Sequence, residues 1–149
     1  MAVAHSPTRH TMISRSSWQM FSPMIRAATD RIVAYNLYTD PPLGRAGMSE
    51  TEVRASKKPA LVAQMPMEKV GRAVEKGETQ GFMKIFVDSE TKLILGASLL
   101  GVGGDEVIHT ILDLMYAKAP YTVLQRAMHI HPTVSELLPT MMSELKPLQ

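Results

Sequence analysis

The stretch MHIHPTVSELLPT, Met128 to Thr140, sets His129 and His131 one residue apart, follows them with Pro132, and places Glu136 five residues beyond the second histidine. Three kinds of chemistry use such residues. An H-x-H pair on extended chain can point two imidazoles the same way and begin a metal site, which then wants a third ligand from His109 or from a carboxylate. An imidazole beside a carboxylate makes an acid–base pair that works near neutral pH. Thr133-Val134-Ser135-Glu136 is also a capping box, whose hydroxyl and carboxylate satisfy backbone N–H groups at a helix start. Pro132 fits the same punctuation, and Pro139, which supplies no N–H, is expected to kink or split the helix that follows. Spacing alone does not choose among the three.

The rest of the chain narrows the chemistry. There is no cysteine, which excludes disulfides, thiolate metal sites and a cysteine nucleophile from this chain, and which fits a cytoplasmic protein. GVGGDEVIHT, Gly101 to Thr110, places glycines between a strand and a helix, where backbone N–H groups favour anions. A dinucleotide fingerprint needs a third glycine where Glu106 stands, and the Gly-Lys-Ser/Thr of a phosphate loop is missing. Asp105 and Glu106 bring negative charge to the same helix end, so the segment reads as a tight strand-to-helix turn with no cofactor in this chain. His109, inside the helical run, is expected to be a packed, hydrogen-bonded histidine.

The elements that must position these residues belong to one domain of ordinary globular composition, 149 residues with 45% apolar and 20% charged. No run approaches the ~18 apolar residues of a membrane span, so no membrane partner is expected. The net charge of +2 is spread among acids, and only Lys57-Lys58 is a basic cluster, which argues against a nucleic-acid partner. The twelve methionines read as core packing before a binding stripe.

IVAYNLYTD reads as a strand ended by Asp40-Pro41-Pro42 and Gly44. Ser49 with Glu52 opens a short helix through about Ser56, PALVAQMPMEKV is a strand weakened near Pro66, and GRAVEKGET is a short turn of helix or loop. GFMKIFVDSETKLILGASLLG reads as a hairpin, Phe82 to Val87 and Leu93 to Leu100. Val107, Ile108, Ile111, Leu112, Leu114 and Met115 then recur at helical spacing until Pro120. A short helix TVLQRAM follows, and a last one carries Leu137, Leu138, Met141, Met142 and Leu145. Strands first and helices last argue α+β: a mostly antiparallel sheet with helices packed on one face.

The blocks YTDPPLGRAGMSE, VGRAVEKGETQGFMKI, LILGASLLG, GGDEVIHTILDLMYAKAPY and HPTVSE, in that order, resemble the C-terminal interface (dimerisation) domain of the FAD-dependent pyridine nucleotide-disulfide oxidoreductases. This is the group of dihydrolipoamide dehydrogenase, glutathione reductase and mercuric reductase. The likeness runs from about Asp30 to Leu148. It implies an α+β fold whose sheet and helices form a homodimer interface, using the helices around residues 105 to 118 and the C-terminal segment. It further implies that His131 reaches the active site of the other subunit as acid–base residue for thiols, with Glu136 holding its ring, and that His129 is only a neighbour. The blocks look most like mercuric-reductase-like proteins. However, the chain keeps this histidine and ends ELKPLQ without a cysteine pair, against mercury as substrate.

FAD and NAD(P) are expected for the full-length family enzyme, and the flavin domain, the nicotinamide domain and the redox cysteines are all missing from this sequence. Residues 30–149 therefore read as an isolated or remnant interface domain, not catalytic alone. A partner chain carrying the flavin and nicotinamide domains is a further expectation. The alternative from the residues alone is a small metal-binding protein using His129, His131 and a third ligand.

Residues 1–29 differ in kind, with Arg9, Arg15, Arg26, five serines and no acidic residue. An organellar transit peptide reads this way. So does a shifted frame. Read from the last base of each codon into the next two, residues 7 to 26 accommodate the way the family finishes its flavin domain. The junctions Met12-Ile13, Trp18-Gln19, Met20-Phe21 and Met24-Ile25, which the genetic code fixes, give Asp, Ala, Val and Asp where that reading needs them. We therefore expect this extension to be frame-shifted and not selected to fold, rejoining the true frame near Arg26.

Overall fold

The computed structural model describes residues 31–149, and the expectations for residues 1–29 lie outside the described residues. The described strands are β1 (Ala34–Leu37), β2 (Leu43–Gly47), β3 (Ala60–Pro66), β4 (Phe82–Asp88), β5 (Ile94–Leu100) and β6 (Lys146–Pro147). They form one sheet in the order β1-β2-β5-β4-β3-β6, with every neighbouring pair antiparallel. The helices are α1 (Glu50–Ala55), α2 (Gly71–Lys76), α3 (Gly104–Tyr116), α4 (Tyr121–Arg126) and α5 (Leu137–Met142), with a 3-10 turn at Met67–Lys69. This is the α+β class that the order of elements predicts.

The sheet is centred on the β4–β5 hairpin, paired from Phe82 opposite Leu100 to Val87 opposite Ile94 with a bulge between Phe86 and Val87. Asp88 closes the turn: its Oδ1 accepts from the N–H groups of Glu90 (2.9 Å) and Thr91 (3.0 Å). These bonds explain how a carboxyl that is 6% exposed stays ionised. They hold it below the ordinary aspartate value of 3.8, chiefly through the Thr91 N–H.

The alternation of β4 sorts the layers. Met83, Ile85 and Val87 join Ala63, Met65, Ala97 and Leu99 in a core completed by Val107, Ile108 and Ile111 of α3, Leu124 of α4, and Leu138, Met141 and Met142 of α5. Lys84 points to the other face, where it pairs with Glu50 at the start of α1. That short helix is opened by the capping box read from the sequence, with Ser49 and Glu52 bonding each other's backbone.

α3 meets the sheet without side chains between them at one point. A Cβ on Gly44 of β2 would stand 2.3 Å from the Gly104 carbonyl oxygen, and a Cβ on Gly104 would stand 2.4 Å from the Leu99 carbonyl oxygen. Only glycine permits that approach. Beyond this first turn, the burial of Val107, Ile108 and Ile111 follows the helical period expected of the segment.

Three details depart from the sequence reading. β2 and β6 are strands that it did not contain: LGRAG carries too little β-branched character to signal one, and it is held by pairing with both β1 and β5. β6 is two residues pairing with Leu61 and Val62. α3 ends at Tyr116, before Pro120, because Lys118 turns left-handed at φ 49°. Ala119 N–H then bonds back to the Leu114 carbonyl at 3.0 Å, closing the end of the helix.

Candidate functional site

The chain between α4 and α5 has no regular secondary structure and doubles back at Pro132, whose peptide bond with His131 is cis. Its two limbs are joined by side chains. His131 Nδ1 lies 2.9 Å from Glu136 Oε2, Thr133 Oγ1 donates to the Ile130 carbonyl at 2.7 Å, and His129 Nδ1 lies 2.6 Å from the Ser135 carbonyl oxygen. Glu136 Oε2 also accepts the Thr133 N–H at 3.3 Å. The carboxylate therefore has a fixed position before the imidazole reaches it.

A carboxylate accepts, so Nδ1 of His131 carries the proton and Nε2 is left as the acceptor of a neutral ring. That ring is on the surface. The His131 side chain is 75% exposed and Glu136 only 19%. The pair thus presents an oriented base whose free nitrogen meets no partner among the described residues. Flanking it, Met128 and Ile130 are 98% and 80% exposed.

The capping box read over Thr133–Glu136 caps no helix, and only one of its two hydrogen bonds is present. Glu136 reaches back to the Thr133 N–H, but the Thr133 hydroxyl is turned to Ile130, and α5 starts later, at Leu137. Pro139 neither kinks nor splits that helix. It is the third helical residue, in the first turn, where the N–H it lacks has no partner within the helix. His109 is exposed, not packed, because Val107, Ile108 and Ile111 take the sheet-facing side of α3 and leave position 109 outside. Met65, Met67, Met83, Met141 and Met142 are core, as the methionine count suggests, whereas Met128 is not. Nothing in the letters points to the Ser135 carbonyl as a partner, since a backbone acceptor has no letter of its own.

The H-x-H pair does aim both imidazoles at one turn, but at different acceptors. Among the described residues no group of three or more His, Asp and Glu side chains is placed to hold a metal ion. The glycines before α3 do not fit a flavin or nicotinamide dinucleotide either: the Leu99 carbonyl blocks approach at Gly104, and Asp105 and Glu106 occupy the first turn. Among the described residues, no helix is long and apolar enough to cross a membrane.

Residues 33–142 match the family described as pyridine nucleotide-disulphide oxidoreductase, dimerisation domain. The probable pyridine nucleotide-disulfide oxidoreductase RclA of Escherichia coli (strain K12) is 37% identical over 122 residues, 81% of this chain and 28% of that protein. A dihydrolipoyl dehydrogenase of Manduca sexta is 35% identical over 103 residues, 68% of this chain and 20% of that protein. In structure, the HOCl-induced flavoprotein disulfide reductase RclA from Escherichia coli superimposes with a TM-score of 0.75 at 34% identity, covering 81% of this chain and 30% of that one. The chain therefore spans between a fifth and a third of the length of these relatives.

Proposed function

Because the chain belongs to the pyridine nucleotide-disulphide oxidoreductase family, as its dimerisation domain, we propose that it lends the His131–Glu136 pair to the redox-active disulfide site of a partner subunit. The observation that carries this reading is the 2.9 Å bond beneath a ring that is 75% exposed. The ring faces away from the core of this domain, where another part of the enzyme can reach it.

The proton chemistry follows from the bonds. Nε2 of neutral His131 accepts the proton of a thiol, leaving a thiolate, and the resulting imidazolium keeps its Nδ1–H on the Glu136 carboxylate. In the reverse direction the imidazolium returns the proton to a thiolate. The partial burial of Glu136, with the Thr133 N–H fixing Oε2, keeps the ring orientation the same in both states. FAD and NAD(P) are expected in the full-length enzyme, where the flavin supplies electrons to the disulfide. This chain's own part is to hold and move one proton.

We place the homodimer contact on the outer side of α3 and the Met128–His131 arm. Tyr116, Val123, Met128 and Ile130 are large apolar side chains exposed there, beside a groove of about 400 Å³ lined by Thr110, Asp113, Leu114, Val123, Leu124 and His129. Such a patch favours association, and a two-fold contact brings each arm to the other subunit. A second apolar band, Val33, Tyr35, Leu37 and Tyr38 along edge strand β1, is the surface we assign to a flavin-bearing part of the enzyme.

Exchanging residues 31–149 for the corresponding segment of the Escherichia coli reductase tests the reading. An active chimera that loses turnover on His131→Ala supports it. An active chimera indifferent to that substitution overturns it.

A further inference from the structure

We propose that His129 is a positioning residue for the His131–Glu136 pair, acting through the Ser135 carbonyl. The proposal deepens the acid–base reading above and rests on it. Among the described residues, no backbone–backbone hydrogen bond holds residues 128–132. The hydrogen bonds that hold the arm carrying His131 are therefore all made by side chains. There are three: His129 to Ser135, Thr133 to Ile130, and His131 to Glu136. The third is the functional contact itself and cannot also be its own scaffold.

Of the other two, the His129 bond spans the larger gap and is anchored in the fold. The Ser135 oxygen also accepts the Leu138 N–H at 3.1 Å, in the first turn of α5, whose Leu138 is fully buried. One lone pair of that carbonyl starts the helix and the other receives the arm. Ser135 is the residue before Glu136, so His129 grips the peptide unit from which the carboxylate projects. His131 stands two residues further along the same limb. A shift of the His129 ring moves the imidazole and the carboxylate relative to each other.

The neighbours of His129 do not do this work. Met128 and Ile130 stand out into solvent, whereas His129 is part-buried and lines, with Leu114 and Leu124, the groove between α3 and α4. Because a carbonyl only accepts, the bond requires His129 to carry its proton on Nδ1, and it persists whether or not the ring is charged.

Nitrogen-resolved NMR of the imidazole rings in the 149-residue chain tests this. In the unmodified protein both His129 and His131 are expected as Nδ1–H tautomers. His129→Phe keeps a ring and removes the donor; the His131 signals should then move to the Nε2–H-dominated pattern while the amide spectrum elsewhere is retained. His129→Asn, whose side-chain N–H lies near the position of Nδ1, should restore the Nδ1–H pattern at His131. The proposal fails if His129 is an Nε2–H tautomer in the unmodified protein, an outcome that needs no variant to fold. It fails equally if His129→Phe leaves the His131 tautomer unchanged, or if His129→Asn rescues nothing. An unmodified protein in which His131 itself is not Nδ1–H overturns the acid–base reading as well, so the two failures are told apart.

Discussion

The Glu136 carboxylate lies 2.9 Å from the Nδ1 of His131, yet the carboxylate is 19% exposed and the imidazole 75%. The fixed member of the pair is built into the domain and the mobile proton is carried outside it. That division suits the role proposed for the pair, in which the imidazole acts on a site outside its own domain. In an active chimera with the Escherichia coli reductase, His131→Ala should lower turnover by ~10²–10⁴-fold, the usual contribution of a positioned acid–base group. Glu136→Gln keeps the shape and an acceptor oxygen but removes the charge that stabilises the imidazolium, and should fall between the two. Equal rates for all three proteins, measured at saturating disulfide, would rule out a proton-transfer role.

Association should depend on the arm. The chain is expected to elute as a dimer at tens of micromolar in size-exclusion chromatography with light scattering. Met128→Glu with Ile130→Glu puts two charges on exposed side chains, so the circular dichroism should be unchanged while the dimer dissociates. A charged double variant that remains dimeric would move the interface elsewhere.

The turn at Asp88 should make stability depend on acid. Its carboxyl is held below 3.8 by the N–H groups of Thr91 and Glu90. A depressed folded-state value adds stability that is complete above the unfolded value, declines as pH falls through it, and is gone below the depressed value. Asp88→Ala should therefore be less stable than the parent at pH 7, and the gap should shrink as pH falls below about 3.8 toward the depressed value. A gap that stays constant from pH 7 to pH 2, in urea unfolding at each pH, would mean the ionised carboxylate contributes nothing.

Gly44→Ala forces a Cβ to within 2.3 Å of a backbone oxygen in α3. Neither strand nor helix backbone can yield cheaply, and a loss of about 1–3 kcal/mol is expected from such overpacking. Gly77→Ala is the control: it has open space but a φ of 70°, and should cost about 1 kcal/mol through conformation alone. Equal, small losses at the two positions would mean that α3 is not in contact with the sheet as described.

What the letters disclosed was whatever is periodic or local. The β4–β5 hairpin, the apolar face of α3 and the Ser49–Glu52 cap were legible because the neighbours that decide them are within a few residues. β2 was not, because LGRAG becomes a strand only between two partners, one of them about fifty residues away. At the site, the types His131 and Glu136 and their spacing suggested a pair but equally a helix cap. In the structure Glu136 holds both the His131 ring and the Thr133 N–H, but neither bond caps a helix, since the Thr133 hydroxyl goes to Ile130 and α5 starts only at Leu137. His109 misled for a related reason: a histidine flanked by apolar letters on a helix can still fall on the outward side.

Where Gly44 meets Gly104, no compliant layer separates β2 from the start of α3. Side chains absorb displacement by changing rotamer; a carbonyl pressed against a Cα does not. A load placed on the first turn of α3 is therefore passed to the sheet almost undiminished, and this end of the helix behaves as a bracket bolted to the sheet, while the turns beyond it rest on side chains that can give.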